Sequence, residues 1–150
     1  MKKALISVWN KDNIVDLGKF LVKNDFEIIS TGGTKKILED NNIKVTSISK
    51  ITDFNEIMNG RVKTLHPKIF GGILADKNNE NHLEDLNSIN ANVIDLVVVN
   101  LYPFQEMSNK SDLSLQKLIE YIDVGGPSML RASAKNFESV ITLCKPTMYE

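Results

Sequence analysis

Residues 95–101, with the sequence DLVVVNL, form the most apolar strand signal in the chain. A continuous run of valine and leucine without polar alternation is typical of a parallel strand that is covered on both faces. Further short apolar runs predict strands at residues 4–8, 26–30, 45–48 and 140–143. The run at residues 69–74 is interrupted by Gly71 and Gly72 and is compatible with either a strand or a helix.

Segments with helical spacing lie between these strands. Ile14, Leu17, Leu21 and Val22 predict a first helix, with Asn10 or Asp12 as its N-cap. Further helices are predicted from residue 35 to 40, within 78–92, over 115–122 and over 127–137, the last with Met129, Leu130, Ala134 and Phe137 facing inward. Strands that alternate with helices imply right-handed crossovers. The sequence therefore predicts a three-layer α/β fold with a mainly parallel sheet.

Composition limits the classes of function. The chain has 150 residues, 42% of them hydrophobic, which suits one compact domain, and its net charge of -1 argues against general nucleic-acid binding. It has neither a run of about 18 apolar residues nor a signal-peptide pattern, so we expect no membrane span and a cytoplasmic location. The lone Cys144 is expected in a buried strand. Two histidines and one cysteine argue against a metal site.

Thr31, Gly32, Gly33 and Thr34 follow a predicted strand and precede a helix. In such a turn, backbone N–H groups converge on an anion and the helix N-terminus adds positive potential, while both threonine hydroxyls can donate hydrogen bonds. The alternative is an ordinary tight turn in which Thr34 caps the helix. The segment lacks the ending of a P-loop and the spacing of a dinucleotide-binding motif, so it suits a single phosphate.

Residues 61–67, with the sequence RVKTLHP, place Arg61 and Lys63 two positions apart, and in an extended loop both side chains point to one side. With the Thr64 hydroxyl, they suit a phosphate or a developing oxyanion. The alternative is a solvated basic loop. His66 precedes a proline and is expected to be extended and structural.

Two further segments carry candidate residues. Asn100 and Tyr102 stand at the carboxyl end of the most apolar strand, where open α/β sheets bind ligands. Asp123 precedes a Gly-Gly turn, and Arg131 and Lys135, four residues apart, share one face of the following helix. The alternatives are an aromatic side chain at the edge of the core and a charged surface stripe.

The segments SVWNK (7–11), STGGT (30–34), RVKTLHP, NLYPF (100–104) and DVGGPSMLRASAKN (123–136) occur in an order and spacing that resemble the inosine monophosphate cyclohydrolase domain family of purine synthesis. The resemblance covers essentially residues 1–150 and implies a methylglyoxal-synthase-like fold. It implies closure of a formamidoimidazole carboxamide ribotide to inosine monophosphate, without a metal or redox cofactor. It also implies a homodimer, and a separate formyltransferase domain, using formyl-tetrahydrofolate, that is absent from this chain. By the same resemblance, the cyclohydrolase domain is expected to be truncated here at its C-terminal end.

The resemblance assigns roles to residues of this chain. Lys63, Tyr102, Asp123 and Lys135 would be catalytic. Asp123 would take or orient the carboxamide proton, Lys63 would stabilise the oxyanion together with N–H groups near Gly125, and Tyr102 and Lys135 would supply or relay protons. The expected nucleotide-binding residues are Asn10, Lys11, Thr31, Gly32, Gly33, Thr34, Arg61, Val62, Thr64, Asn100, Val124, Gly125 and Gly126. Two alternatives stay open: a phosphate-sensing regulatory module and methylglyoxal synthase itself.

Overall fold

The computed structural model describes residues 1–110 and 112–149 of the chain. Strands and helices alternate along most of its length, as the sequence predicts. The elements in chain order are β1 (Lys2–Val8), α1 (Ile14–Lys23), β2 (Phe26–Ser30), α2 (Gly32–Asp40), β3 (Val45–Ser47), α3 (Ile48–Thr52), α4 (Pro67–Leu74), α5 (Glu80–Ser88), β4 (Leu96–Asn100), α6 (Phe104–Ser108), α7 (Leu115–Ile119), α8 (Gly125–Lys135), β5 (Ile141–Leu143) and a 3₁₀ turn (Pro146–Met148).

The five strands form one parallel sheet in the order β3-β2-β1-β4-β5. β1 is central and pairs with β2 on one side and β4 on the other. Leu96, Val97, Val98 and Val99 of β4 are all buried, because helices cover both faces of the sheet. The carboxyl ends of all five strands therefore lie at one edge of the sheet, and the predicted parallel sheet is confirmed.

Each face of the sheet supports its own hydrophobic core. One core joins Ile6 of β1 to Leu17 of α1 and Leu38 of α2. The other joins Leu5 of β1 to Ile73 of α4 and Met129 of α8. Adjacent residues of β1 enter opposite cores because side chains alternate along a strand. The predicted three-layer arrangement is confirmed.

The start of α1 differs from the prediction. Its N-cap is Asn13, with φ of 59°, rather than Asn10 or Asp12. The Asn10 side chain accepts a hydrogen bond from the backbone N–H of Asp12 at 2.8 Å and closes a turn of its own before the helix. Val22, expected inside, is 46% exposed because Leu21 takes the buried position and the next residue lies about 100° further around the helix.

Other boundaries were also misjudged from the sequence. α2 begins at Gly32, so both glycines belong to its first turn and Thr34 lies inside the helix rather than capping it. The ambiguous run is helical: α4 starts at Pro67 with His66 as its N-cap, in the extended conformation expected of a residue before proline. Ile48 begins α3 instead of ending β3.

On α8 the buried positions are Gly126, Met129, Ala132 and Ser133. Ala134 and Phe137 are exposed, contrary to the prediction, because Ala132 and Ser133 follow Met129 at i+3 and i+4 and complete the inward face.

Cys144 follows β5 and is half-buried, so its predicted place in a buried strand is wrong. Within residues 1–110 and 112–149, no helix is long and apolar enough to span a membrane.

Candidate active site

A cavity of about 580 Å³ opens at the edge of the sheet where β1, β2 and β4 end. Five chain segments form its walls, and each contains one of the motifs that the sequence singled out. The predicted site residues that line it are Lys11, Thr31, Gly32, Gly33, Thr34, Arg61, Lys63, Thr64, Asn100, Tyr102, Asp123, Val124, Gly125 and Gly126.

The first wall is the N-terminus of α2. The first hydrogen bond of this helix is donated by Lys35 N to Thr31 O at 3.3 Å, so the N–H groups of Gly32, Gly33 and Thr34 lie ahead of the helical ladder. Gly32 has φ of 56°, a left-handed conformation that glycine adopts without strain, and an added Cβ would meet no atom within 4 Å. This end of α2 is therefore open and offers N–H donors with the positive end of the helix dipole.

The hydroxyl of Thr34 is committed to the fold rather than free. Thr34 Oγ1 donates to the carbonyl of Val8 at 3.1 Å and accepts from the N–H of Val8 at 3.3 Å, and the residue is 4% exposed. Thr34 thus binds α2 to the end of β1. Of its groups, the backbone N–H and not the hydroxyl is available to a ligand, which corrects the expectation for this side chain.

Two lysines supply positive charge beside α2. Lys11 Nζ donates to the carbonyls of Val8 and Trp9, the second at 3.1 Å. Burial, and then the nearby ammonium group of Lys63, lower the pKa of Lys11. Among the described residues, neither lysine has a carboxylate ion-pair partner. Two close, unneutralised amines are suited to an anion.

A turn at residues 57–62 carries Arg61 to the mouth of the cavity. Ile57 and Val62 exchange backbone hydrogen bonds at 3.1 and 3.4 Å across the turn. The Arg61 guanidinium forms an ion pair with Glu120, which lies just after α7 and also lines the cavity. This pair connects two walls of the cavity that come from distant parts of the sequence.

Asp123 and Tyr102 meet at the N-terminus of α8. Asp123 Oδ1 accepts a hydrogen bond from Gly126 N at 2.9 Å and so caps the first turn of the helix. Burial, and then the Asp123 carboxylate, raise the pKa of Tyr102. The phenol therefore keeps its proton at neutral pH and acts as a donor close to a carboxylate.

Thr64 joins the basic loop to α8. It is 4% exposed, and a Cβ built on Gly125 would lie 2.7 Å from its hydroxyl oxygen. Gly125 is thus required for this approach. The contact brings Lys63 and the start of α8 to the same cavity, although 61 residues separate Thr64 from Gly125.

The Asn100 side chain forms three hydrogen bonds with the backbone of the loop after β1. Its Oδ1 accepts from Trp9 N at 2.7 Å and from Asn10 N at 2.8 Å, and its Nδ2 donates to Asn10 O at 2.9 Å. Asn100 lines the cavity, but its amide holds this loop in place. The expected place of Asn100 among the nucleotide-binding residues remains a prediction.

Three predicted site residues are missing from the described cavity wall: Asn10, Val62 and Lys135. Val62 is held in the turn opposite Ile57. Lys135 is the last residue of α8, ten residues after the end that opens on the cavity, which is about 15 Å along a helix. The four-residue spacing from Arg131 correctly predicted that the two residues share one face of α8. That face is exposed, and the helix runs away from the cavity wall that contains Lys63 and Asp123.

An aromatic cluster of Trp9, Tyr102 and Tyr121 was not predicted from the sequence. The ring centroids lie 4.9 Å apart for Trp9 and Tyr102, 6.0 Å for Trp9 and Tyr121, and 6.2 Å for the two tyrosines. The rings are tilted or edge-on, which is the favoured geometry for such contacts. One signal was present, because Trp9 directly follows a predicted strand at the edge that binds ligands.

Comparison with known proteins shows the family to which the chain belongs. The family described as "MGS-like domain" matches residues 13–128. Proteins named "Bifunctional purine biosynthesis protein PurH" are 54% identical over 149 residues in Staphylococcus epidermidis and 52% identical over 150 residues in Staphylococcus aureus. They match 99% and 100% of this chain, respectively, and the chain spans only 30% of the length of each. A crystal structure of ForH, 36% identical in sequence, superposes with a TM-score of 0.85 over 99% of this chain and 75% of that chain.

Proposed function

This chain belongs to the MGS-like domain family, and from that membership we propose that it is the cyclohydrolase domain of a bifunctional purine biosynthesis protein. The proposed reaction closes a formamidoimidazole carboxamide ribotide to inosine monophosphate with loss of water. Residues 1–150 belong to the proposed domain, and formyl transfer from formyl-tetrahydrofolate would belong to another part of the longer protein. The homodimer and the cytoplasmic location stay predictions.

The presence of Lys63, Tyr102 and Asp123 on the wall of one cavity carries this proposal. A cation, a protonated phenol and a carboxylate are the three kinds of group that the reaction requires. The names of the relatives favour this function over a regulatory module or methylglyoxal synthase.

The reaction joins two poorly reactive groups. The carboxamide nitrogen attacks the formyl carbon, a C–N bond forms, and the formyl oxygen gains negative charge. That oxygen then leaves as water, with one hydrogen from the carboxamide nitrogen and one from the formamido nitrogen. Catalysis therefore needs a proton acceptor at the nitrogen, donors at the oxygen and a proton supply for the departing water.

We assign these tasks to the groups at the N-terminus of α8. The carboxylate of Asp123 accepts the carboxamide proton. The ammonium group of Lys63 and the N–H of Gly125 face the developing oxyanion. The phenol of Tyr102 donates one proton to the departing oxygen and regains one from the formamido nitrogen, and Asp123 returns the carboxamide proton to the same oxygen. The raised pKa of Tyr102 suits a donor rather than a base.

The ribotide phosphate is proposed to lie at the N-terminus of α2, where Lys11 and Arg61 also contact it. With the phosphate there, the carboxamide and formyl groups of the ribotide would lie at the wall that contains Asp123. An anchor at one end of the ligand holds the two reacting groups in register and reduces the entropy cost of ring closure.

The resemblance also gives Lys135 a proton-transfer role, and this role stays a proposal. The mechanism above does not use Lys135, because α8 carries this residue away from the cavity that contains Asp123.

An absorbance assay for purine formation from the formamido ribotide tests the proposal. We expect turnover by the protein and loss of turnover when Asp123 is replaced. Absence of turnover in a protein that still binds inosine monophosphate would support a sensing role instead.

A further inference from the structure

The ion pair between Arg61 and Glu120 links two separate walls of the cavity, and both residues line it. The two residues are 59 positions apart in the sequence, so only the tertiary fold brings them together. Both side chains are more than half exposed, which places the pair at the mouth of the cavity rather than in its interior.

The backbone that carries Arg61 is well defined. Ile57 and Val62 close the turn by backbone hydrogen bonds, and Met58, Asn59 and Gly60 all have positive φ angles, the last at 85°. The side chain itself extends beyond this turn and is 62% exposed. The turn therefore fixes where the side chain of Arg61 starts, but not where its guanidinium group lies.

Glu120 restrains the position of the guanidinium group. Only Nη2 of Arg61 is bonded to Glu120, through Oε1. A guanidinium group has five N–H donors in a rigid planar fork, and the other donors of Arg61 have no hydrogen-bond partner among residues 1–110 and 112–149, so they can bind a ligand in the cavity. Of the cavity-lining cations Lys11, Arg61 and Lys63, only Arg61 forms a carboxylate ion pair within the described part of the chain.

We propose that Glu120 is a positioning residue for Arg61: it holds the guanidinium group at the mouth of the cavity, in an orientation that binds the anionic group of the ligand. This inference rests on the proposed function, in which the cavity binds a ribotide. Without Glu120, Arg61 must be ordered when the ligand binds, and ordering one long side chain weakens binding by about fivefold.

The direction in which Glu120→Gln changes the affinity for the nucleotide distinguishes a positioning role from a purely electrostatic one. Replacing Glu120 by glutamine removes a negative charge from a site for an anion, and Coulomb attraction alone would then tighten binding. Positioning predicts the opposite result: Glu120→Gln binds inosine monophosphate about fivefold more weakly than the unaltered protein. Its affinity for inosine, which has no phosphate, stays unchanged.

A double-mutant cycle tests whether Glu120 acts through Arg61. The dissociation constant for inosine monophosphate is measured for the unaltered protein, Arg61→Gln, Glu120→Gln and the double variant, with calorimetry or the fluorescence of Trp9 as the signal. In the Arg61→Gln background, Glu120→Gln should have no further effect. The matched control is Glu39→Gln, which breaks an exposed ion pair with Lys35 outside the cavity and should leave binding unaltered.

The outcomes separate this inference from the proposed function. If the unaltered protein binds no inosine monophosphate, the proposed function fails. If it binds the nucleotide and Glu120→Gln binds as tightly or more tightly, the positioning role is overturned. An equal loss for inosine, or a loss that persists without Arg61, also overturns it, because Glu120 would then contact the ligand directly.

Discussion

The side-chain oxygen of Asn100 lies 2.7 Å from the backbone nitrogen of Trp9, a contact between residues 91 positions apart. It ties the loop that carries Lys11 to the end of β4, beside Tyr102. The chain contains one tryptophan, so the fluorescence of Trp9 reports the position of this loop.

Replacing Asn100 by alanine should release the loop. Three hydrogen bonds are lost, and we expect about 1–3 kcal/mol of destabilisation together with a red-shifted emission of Trp9. Asn100→Asp keeps the two accepted bonds and loses the donated one, so its emission should lie closer to that of the unaltered protein. Unchanged emission in Asn100→Ala would contradict the assigned role.

Replacing Thr34 by valine should destabilise the fold by about 1–3 kcal/mol, because the N–H and carbonyl of Val8 each lose their hydroxyl partner in a buried setting. Urea unfolding measures the change. The matched control is Thr31→Val, since the Thr31 hydroxyl makes no capping hydrogen bond, and this change should cost little. An equal decrease in the free energy of unfolding of the two variants would show that the Thr34 hydroxyl does not stabilise the contact with Val8.

Replacing Asp123 by asparagine should lower turnover at least about 100-fold while the protein stays folded. The amide oxygen of asparagine can still accept the hydrogen bond from Gly126 N, but the side chain no longer accepts a proton. The absorbance assay for ring closure gives the rate, and the unfolding midpoint shows that the fold persists. Near-normal turnover would reject Asp123 as the base.

Replacing Lys135 by alanine tests the role that the resemblance implies. If Lys135 transfers a proton, turnover falls at least about 100-fold. If the cavity alone performs the chemistry, turnover stays near normal, because α8 places this residue about 15 Å from its own first turn. The same assay distinguishes the two results.

Anion binding should weaken as the pH rises through the lowered pKa of Lys11. Burial and then Lys63 favour the neutral amine, so Lys11 loses its proton below the ordinary value of 10.5 and the site loses positive charge. Above pH ~7.5 the phosphate remains dianionic, so the change reports the protein.

Lys63→Met gives the control for this pH dependence. It removes the second cause of the shift and should move the decline in affinity to higher pH, although affinity at neutral pH is lower. A decline at the same pH in both proteins would exclude coupling between the two amines.

Replacing Gly126 by alanine should disturb Asp123. The added Cβ would overlap Asp123 Oδ2 and would lie 2.9 Å from a methyl carbon of Leu101, so the carboxylate must move. A displacement of about 1 Å lowers turnover by up to about 100-fold. Gly72→Ala is the comparison: its Cβ meets the backbone oxygen of Asn92 at 2.6 Å, so it should reduce stability and leave the turnover of folded molecules unchanged.

The sheet was predictable because its strands are apolar enough to be identified without knowledge of their neighbours. Residues 26–30 were assigned with the observed bounds, and β4 to within one residue at each end. The position of the cavity was also predictable, because parallel strands end at one edge of the sheet and ligands bind there.

Contacts between distant segments could not be predicted in this way. Helical spacing placed Arg131 and Lys135 on one face, but it carries no information about which end of α8 meets the cavity. The pairing of Arg61 with Glu120 and the engagement of the Asn100 amide are likewise set by tertiary packing, not by local pattern.

Between Leu101 and Gly125, none of the described residues is buried, and yet Tyr102, Glu120 and Asp123 all belong to this stretch. The hydrophobic cores that hold the sheet together draw nothing from it. Local opening of such a segment costs less free energy than global unfolding. On warming, this wall of the cavity therefore unfolds locally first, and the protein loses activity before the sheet unfolds.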